Sequence, residues 1–483
     1  MSEMTGSAGT RPKGAAFLLA ILCLANFMAT LDLFVVNVAL RDIATYFGGS
    51  ALSNVSWVLN AYAIVFGALL IPAGRAADRF GRKGAFITGL AVFTVASAAC
   101  AAAPVFWALV GFRCLQAAGA AILVPSSLGL VLTALPPGRV SGGVRAWAVT
   151  AAVGGAAGPV IGGLLTEIDW RWIFIVNLPV GVATIAATAR RVPVIKHDQT
   201  VRIPDPLESL LVIITVGALS LGLVKGPDWG WGTAGVTACW IVAAFAAVAF
   251  ALVNRRAETP VVNLALFRSH VFSIASAGMV LSSAAIAMQL LSLSLYLQQS
   301  WHWSPLAAGA GIAPGPAFVL IASLTAARLP ARLRPRPAVL TVIGWTTCAV
   351  GQVLLVIGMD NWHTYGAILP GWVIIGIGIG LAMPTITALG TSDLPKNESA
   401  AGSAVVQSGR QLGSVVGNSV LIAVLGSAVA TGAASQFIHA GWVTVGAYTA
   451  TMLISLPLLT RRAATGPPAA AAPPAKLART ETT

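Results

Sequence analysis

The feature that most constrains this chain is a series of apolar stretches that recurs from one end to the other. A helix needs about 20 predominantly apolar residues to cross the hydrocarbon core of a bilayer. Fourteen stretches approach or exceed that length, at residues 15–40, 51–73, 84–103, 104–134, 143–166, 172–189, 207–224, 235–253, 271–299, 306–327, 338–358, 365–391, 400–426 and 438–460. Lipid tolerates helices because they satisfy their backbone hydrogen bonds internally. The sequence therefore predicts an all-α integral membrane protein with 14 transmembrane helices.

The balance of residue types also separates this chain from a soluble enzyme. Hydrophobic residues make up 57% of it and charged residues 9%, whereas soluble domains carry about 25% charged residues. The five cysteines, at positions 23, 100, 114, 239 and 348, show no paired spacing, so we expect neither a disulfide framework nor a metal site. The sequence has no GxxxxGK[ST] phosphate loop, which argues against an ATP-driven pump.

Positive charge is distributed unequally among the loops. Of the 29 Lys and Arg residues, Arg41, Arg171 and Lys225 fall in odd-numbered loops, while Arg113 and Arg410 lie deep in spans. The other 24 occupy the tails, the even-numbered loops and the adjoining span ends. Because cytoplasmic loops are enriched in Lys and Arg, both termini are predicted to be cytoplasmic. The net charge of +14 then reflects topology, and we expect the partner to be a lipid bilayer rather than nucleic acid.

Two basic loops, 190–206 and 254–270, divide the spans into groups of six, two and six. Transporters are often built from helical repeats, with the substrate site at the repeat interface near the midplane. The predicted units are a disordered cytoplasmic tail (1–14), an N-terminal six-helix bundle (15–190), a cytoplasmic loop with two extra transmembrane helices (191–254), a C-terminal six-helix bundle (255–460) and a disordered Ala/Pro-rich cytoplasmic tail (461–483).

Two charges inside apolar stretches are the first candidates for function. Asp32 and Arg113 each lie about eight residues from a predicted outer span end, which places them at similar depth. Intramembrane charges are costly and usually functional. The two are predicted to pair, and an acid at this depth can carry a proton or attract a cation. Arg410 lies about ten residues into the thirteenth stretch, where a structural and a transport role fit equally well.

The loop after the second stretch reads GRAADRFGRK from Gly74 to Lys83. Glycines allow a tight turn, and Asp78 can accept hydrogen bonds from Arg82. A plain basic loop would explain the charges but not the glycine and aspartate spacing. The segment resembles the motif G-x-x-x-D-R-x-G-R-[RK] of the major facilitator superfamily. That resemblance implies a gating role for Gly74, Asp78, Arg79, Gly81, Arg82 and Lys83.

The fifth stretch contains GGAAGPVIGG between Gly154 and Gly163. Glycines four residues apart form a smooth face for close helix packing, and a proline weakens the helix. An ordinary packing stripe would need only the glycines. The ten residues resemble G-x-x-x-G-P-x-x-G-G, the motif of antiporters within the superfamily. The resemblance implies that Gly154, Gly158, Pro159, Gly162 and Gly163 form this motif.

Further segments narrow the resemblance to the fourteen-span drug:proton antiporters. The stretch from Arg113 resembles R-x-x-Q-G-x-G of proton-coupled exporters, with Ala117 in place of the first glycine. Residues 31–40 resemble the first-span motif, although Arg41 stands where that motif commonly ends in proline. Residues 170–179 resemble the approach to the sixth span, so the likeness extends from about 15 to 460.

The resemblance implies a proton-coupled exporter of lipophilic drugs or antibiotics that works by alternating access, with Asp32 and Arg113 as the residues that couple transport to protons. It also implies a monomer in the bacterial cytoplasmic (inner) membrane, with the proton gradient and no cofactor as its energy source. Because Asp32 is the one carboxylate well inside a span, neutral or monocationic substrates are expected. Candidate substrate contacts are Asn37, Trp57, Asn60, Tyr62, Gln116, Gln289 and Tyr296. The alternatives are an exporter of an endogenous metabolite or lipid, and a non-transporting membrane scaffold or sensor.

Overall fold

The computed structural model describes residues 12–48, 52–192, 205–328, 335–362, 364–392, 394, 399–426 and 434–460. These ranges are helical and contain no strand. The helices are α1 (Pro12–Tyr46), α2 (Leu52–Val55), α3 (Trp57–Phe80), α4 (Arg82–Ala101), α5 (Phe106–Ala134), α6 (Pro137–Ile168), α7 (Trp172–Ile175), α8 (Asn177–Arg191), α9 (Pro206–Trp229), α10 (Ala234–Arg256), α11 (His270–Gln299), α12 (Pro305–Ile312), α13 (Pro314–Arg328), α14 (Pro337–Asn361), α15 (Tyr365–Ser392), α16 (Ser399–Leu425), α17 (Ala434–Ser455) and α18 (Pro457–Thr460), with a 3-10 helix at Leu264–Arg268.

Membrane-length helices dominate the described chain. Thirteen segments are both long and apolar enough to cross a bilayer. Helix α16, with 27 residues, is also long enough, but it carries Gln407, Arg410 and Gln411 and is more polar. The predicted multispanning all-α class is therefore confirmed, and the count of fourteen depends on including α16.

Helix ends differ from the predicted spans in several places. Helix α1 continues to Tyr46 instead of ending at residue 40, and α6 begins at Pro137 instead of residue 143. The predicted tails, 1–14 and 461–483, lie outside the described residues, except that residues 12–14 belong to α1. Pro137 stands at the first position of α6, where its missing backbone N–H costs nothing, and this explains the early start.

The helices form two bundles with an additional pair between them. In the first bundle, α1 packs on α6 and α4 packs on α5, while in the second α14 packs on α15 and α11 on α16. Helices α9 and α10 pack on each other, and α9 also contacts α3 and α16. Asn60 of α3 donates to both Ser220 of α9 and Ser419 of α16, so one polar cluster joins both bundles and the extra pair.

The two bundles meet on the side that the loop charges predict to be outer. Gln298 Nε2 donates to the Val38 carbonyl oxygen at 3.2 Å, and Ser294 Oγ donates to that of Asn37 at 3.2 Å. Beside them, the backbone N–H of Leu306 in α12 donates to Glu167 of α6 at 3.2 Å. These bonds all lie near the C-terminal ends of α1 and α6, so in this conformation the bundles are joined at the predicted outer side.

Candidate functional site

The centre of the N-terminal bundle holds a buried ion pair between α1 and α5. Arg113 Nη1 lies 2.5 Å from Asp32 Oδ2, and the two residues are 0% and 2% exposed. Pairing was predicted from their equal depth, and the structure confirms it. A hydrogen-bonded partner of opposite charge offsets the cost of removing both groups from water.

Three neutral polar side chains complete the site around Asp32. Gln116 Nε2 donates to Asp32 Oδ1 at 2.9 Å and to Ser97 Oγ at 2.8 Å. Asn177 Nδ2 also donates to Asp32 Oδ1, at 3.2 Å. Both carboxylate oxygens therefore have donors, which come from α5 and α8, and all five residues of this network are buried.

Arg113 is held in place by more than its ion pair. Its Nε donates to the Val58 carbonyl oxygen at 3.2 Å, and Nη1 also donates to Gln116 Oε1 at 2.6 Å. The guanidinium carbon lies 4.1 Å from the centre of the Tyr62 ring and 5.8 Å from that of Phe174. Aromatic faces stabilise a desolvated cation, so Tyr62 and Phe174 support the charge that Asp32 balances.

This arrangement is suited to a protonation switch. Protonation of Asp32 would remove the negative charge that holds Arg113. The amides of Gln116 and Asn177 could then reorient, because each carries both donors and an acceptor. Protonation of Asp32 would therefore change the contacts of α1, α4, α5 and α8 together. Sequence reasoning did not select Ser97 or Asn177 as site residues. Asn177 lay within the segment 170–179 that carried the resemblance, whereas nothing in the sequence distinguished Ser97.

The glycine motif in α6 is a contact surface for α1. A Cβ atom built on Gly158 would lie 2.5 Å from Phe34 Cβ, and one built on Gly162 would lie 2.9 Å from the Val35 carbonyl oxygen. A Cβ on Gly154 would lie 3.0 Å from the Phe27 carbonyl oxygen. Side chains at these positions would force α6 away from the helix that carries Asp32.

The end of the same motif reaches the other bundle. A Cβ built on Gly163 would lie 2.5 Å from the Pro305 carbonyl oxygen, and one on Gly309 of α12 would overlap the carbonyl oxygen of Pro159. Gly163, Pro159 and Gly309 thus let the backbones of α6 and α12 approach across the interface between the bundles.

The motif between α3 and α4 connects helices at the end of the N-terminal bundle that is predicted to be cytoplasmic. Gly81 takes a φ of +104° between the helices, a conformation that favours glycine. Arg82 Nε donates to Asp78 Oδ1 at 2.8 Å, while its Nη1 donates to the Gly129 carbonyl oxygen of α5 at 2.9 Å. Lys83 donates to the Ala189 carbonyl oxygen of α8 at 3.1 Å.

The other two members of this motif lie beside those contacts. A Cβ built on Gly74 would lie 3.5 Å from Pro125 Cβ of α5, and the Arg79 guanidinium carbon is 5.6 Å from the Phe80 ring centre. The motif therefore joins α3 and α4 to α5 and α8, the helices that supply the donors around Asp32.

The candidate substrate contacts lie in several different environments. Tyr62 and Gln116 belong to the Asp32–Arg113 site, and Asn60 donates to Ser220 and Ser419. Asn37 Nδ2 donates to the Leu33 carbonyl oxygen of its own helix at 3.1 Å. The other candidates are Trp57, which is half-buried, Gln289, which is 3% exposed, and Tyr296, whose ring packs against Trp301 and Phe437.

Arg41, where the resembling motif commonly has proline, makes a contact between the bundles. Its Nη1 donates to the Gln298 carbonyl oxygen at 2.5 Å, which links the end of α1 to the end of α11. Proline has no side-chain donor, so this link depends on the residue by which the chain departs from the motif.

The sequence model of the Major Facilitator Superfamily matches residues 22–418. The chain belongs to this superfamily. It is therefore a membrane transporter and not an enzyme, and transporters of this superfamily typically need no cofactor.

Several relatives of this superfamily member are resistance proteins. The chain is 34% identical over 436 residues to the methylenomycin A resistance protein of Streptomyces coelicolor, covering 89% of this chain and 90% of that protein. It is 30% identical over 435 residues to the tetracenomycin C resistance and export protein of Streptomyces glaucescens, covering 88% and 78%. It is 31% identical over 401 residues to the multidrug resistance protein Stp of Mycobacterium tuberculosis, covering 83% and 74%.

Solved structures resemble the chain in fold. A bacterial homologue of the human lysosomal transporter Spinster matches with a TM-score of 0.67 at 16% identity, covering 95% of this chain and 100% of that chain. The peptide transporter POT in complex with sulfate also matches with a TM-score of 0.67, at 17% identity and with 93% and 96% coverage. At such low identities these matches show the major facilitator fold alone.

Proposed function

We propose that this transporter exports lipophilic drugs or antibiotics from the cytoplasm in exchange for protons. The observation that carries the proposal is the buried Asp32–Arg113 pair with its neutral donors Gln116 and Asn177. An acid at this depth has a use in proton transfer and little use as a structural group, because intramembrane charges are costly. Both termini are taken to be cytoplasmic, from the loop charges.

The direction and class of transport are supported by the relatives. Proteins at least 30% identical over most of both chains confer resistance to methylenomycin A or act in tetracenomycin C resistance and export. A third is a puromycin resistance protein of Streptomyces alboniger, 32% identical over 425 residues. Removal of an antibiotic from the cell by this chain would produce resistance without chemistry on the drug.

Alternating access follows from the two-bundle arrangement. In this conformation the bundles are joined at the predicted outer side by bonds from α1 and α6 to α11 and α12. Export requires this side to open while the opposite side closes. Protonation of Asp32 would loosen Arg113 and change how α1 packs, and α1 supplies the outer contacts through Val38 and Arg41.

The test begins with cells and ends with purified protein. A bacterial strain lacking its own efflux pumps, expressing the full chain, should become resistant to at least one of methylenomycin A, tetracenomycin C and puromycin. Proteoliposomes with the purified chain should then release protons to the opposite side when that compound is added. Transport of the compound without any proton movement would contradict antiport.

An exporter of an endogenous metabolite or lipid is the second candidate. The same site and the same bundle arrangement would serve it, so the resistance profile separates the two. Proton flux on adding a cell extract, with no resistance to any antibiotic tested, would favour the metabolite exporter. A scaffold or sensor would show neither response.

A further inference from the structure

A second intramembrane charge, Arg410 in α16, has a different environment from Arg113. It lies 11 residues after the first residue of α16, deep within a 27-residue helix, and is half-buried. Among the described residues it has neither an ion-pair partner nor a hydrogen-bond partner for its guanidinium. A cation retained at this depth without a countercharge is costly, which marks it as a functional group whose partner arrives from elsewhere.

Helix geometry shows which way Arg410 faces. Gly413 and Gly417 lie on the α11 side of α16, because a Cβ on either would overlap the backbone of Val280 or Ala284. Ser419 lies on the opposite, N-terminal-bundle side, where Asn60 of α3 donates to it. At about 100° per residue, Gln407, Ser414 and Asn418 project from the sector of α16 between these two faces, and Arg410 lies at the α11-facing edge of that sector, about 20° from the direction of Gly417. Arg410 therefore borders the sector where the two bundles adjoin.

Arg410 belongs to a polar stripe on that sector. Gln407, Arg410, Ser414 and Asn418 follow one another at spacings of three or four residues, which places them on one side of the helix. Asn418 is 7% exposed, and its buried Oδ1 has no hydrogen-bond partner within the described chain. This oxygen is a hydrogen-bond acceptor, so it calls for a donor group on the ligand that completes this surface.

The stripe lies close to the Asp32 site in depth. A Cβ on Gly67 of α3 would be 3.1 Å from Gln411 Cβ, so Arg410 is level with Gly67. Gly67 follows Tyr62, which stacks on Arg113, by five residues on the same helix. Arg410 therefore lies about 7 Å further toward the predicted cytoplasmic side than the Tyr62 ring level, at about 1.5 Å per residue.

The charges of Asp32, Arg113 and Arg410 inside the membrane favour an anionic substrate over a cationic one. Asp32 has its countercharge and its donors, so a cationic substrate would have to displace Arg113 to reach it. Arg410 leaves the described interior with an uncompensated positive charge. The sequence-based expectation of a neutral or monocationic substrate considered Asp32 without its partner.

We propose that Arg410 is an anion-binding subsite of the transport path, and that the substrate is a lipophilic acid with a compact carboxylate. The planar guanidinium binds a carboxylate through two parallel hydrogen bonds, and the amide of Gln407, three residues earlier on the same side of the helix, can donate a further one. The proposal rests on the proposed export function for its physiological meaning. Binding itself requires neither a gradient nor export.

The test compares three probes that share one apolar body and differ in charge. They are 1-pyrenebutyric acid, its methyl ester, and the matching pyrenebutyl-trimethylammonium ion, each titrated into the purified full-length protein without a pH gradient. Pyrene emission excited through the protein's tryptophans measures Kd. The acid should bind at least tenfold more tightly than the ester, which corresponds to about 1.4 kcal/mol, and the cation should bind most weakly.

Variants assign the preference to Arg410. Arg410→Gln should bring the acid-to-ester ratio of Kd close to one, while Arg410→Lys should retain part of the preference because it keeps the charge. Arg336→Gln, the same change at an exposed position where α14 begins, should behave as the unmodified protein. Monodispersity and thermal unfolding confirm that each variant is folded.

Two results would overturn the subsite. One is an unmodified protein that binds the ester or the cation as tightly as the acid, and the other is an acid preference that survives in Arg410→Gln. Export is judged separately. Arg410-dependent acid binding without proton-coupled export would refute the proposed function alone, whereas proton-driven export that ignores substrate charge would refute the subsite alone.

Discussion

At the residue scale, Asp32 and Arg113 form an ion pair in which the two side chains have different properties. Asp32 is the group that can accept a proton, and both its oxygens have donors from neighbouring helices. Arg113 is fixed by the Val58 carbonyl oxygen and by the Tyr62 ring as well as by Asp32. Removing charge from one member therefore has a different consequence from removing the other.

Asp32→Asn should fold and lose proton-driven export. The amide keeps the shape of the side chain but cannot take up a proton, so a pH gradient of one unit, about 1.4 kcal/mol, can no longer drive transport. Export in proteoliposomes with an imposed gradient measures the loss. Asp360→Asn, at an exposed position near the end of α14, is the control. Full gradient-driven export by Asp32→Asn would remove Asp32 from the mechanism.

Arg113→Ala should destabilise the protein much more than the loss of one hydrogen bond. It leaves the Asp32 carboxylate buried without its countercharge, a change that costs about 3–5 kcal/mol in buried pairs. Adding Asp32→Asn to Arg113→Ala should recover part of that loss, because the uncompensated charge disappears. Thermal unfolding in detergent reports both effects. Additive losses in the double variant would show that the pair is not energetically coupled.

At the scale of helices, the glycines of α6 and the side chain of Arg41 decide how closely elements approach. The glycines bring the α6 backbone against Phe27, Phe34 and Val35 of α1. Arg41 extends the reach of α1 to the other bundle through the Gln298 carbonyl oxygen. Helix α1 therefore carries the Asp32 carboxylate, the contact with the α6 glycines and a contact that joins the bundles at the predicted outer side.

Gly162→Ala should destabilise the protein by about 1–3 kcal/mol and impair export, since overpacking forces backbones apart. The new methyl group would lie 2.9 Å from the Val35 carbonyl oxygen. Gly142→Ala is the matched control on the same helix, because nothing lies within 4 Å of its Cβ. It should be neutral or slightly stabilising, since alanine is the better helix former. Equal unfolding temperatures for the two variants would contradict the close packing of α6 on α1.

Arg41→Ala should weaken closure of the predicted outer side without changing the proton site. Spin labels at Thr45 and His302, which are exposed near the ends of α1 and α11, should report a larger population of long distances. Arg171→Ala is the control, because Arg171 lies on the same side but contacts Asp169, Ala101 and Tyr46 within one bundle. An unchanged distance distribution in Arg41→Ala would mean that the remaining bonds suffice for closure.

At the scale of the whole molecule, the cytoplasmic motif and the outer contacts are expected to alternate. Asp78 now pairs with Arg82 inside the N-terminal bundle, while the bundles are joined on the opposite side. When the cavity opens outward, Asp78 is expected to approach the start of α16, around residues 399–402. A carboxylate there would complement the positive end of that helix.

Labels at Phe80 and Ser403, both exposed, measure this movement. The distance between the two labels should shorten in conditions that favour the outward-open state. Asp78→Asn should reduce the population of molecules with the short distance. It should also slow the transport cycle more than it weakens substrate binding. The native protein, without introduced labelling sites but treated with the same label, controls for reaction at its own cysteines. A separation that stays constant while the outer side opens would show that Asp78 does not meet α16.

Local features of the sequence were sufficient to predict the all-α membrane class, the approximate positions of the helices and the family. A membrane span depends on the length of one apolar stretch, and topology depends on the charge of one loop, so neither requires knowledge of distant residues. The motifs Gly74–Lys83 and Gly154–Gly163 are equally local. The pairing of Asp32 with Arg113 could be predicted because two opposite charges at the same depth of the membrane have few other partners.

Tertiary structure decided the partners of each polar group. Ser97 and Asn177 reach the Asp32 site because α4 and α8 pack beside α1 and α5, and no spacing along the chain encodes that meeting. The placement of Tyr296 against Trp301 and Phe437 came from packing in the same way. The sequence showed two intramembrane arginines and placed an acid at similar depth for Arg113 alone. The packed helices show that Arg113 has its countercharge and that Arg410 has none among the described residues.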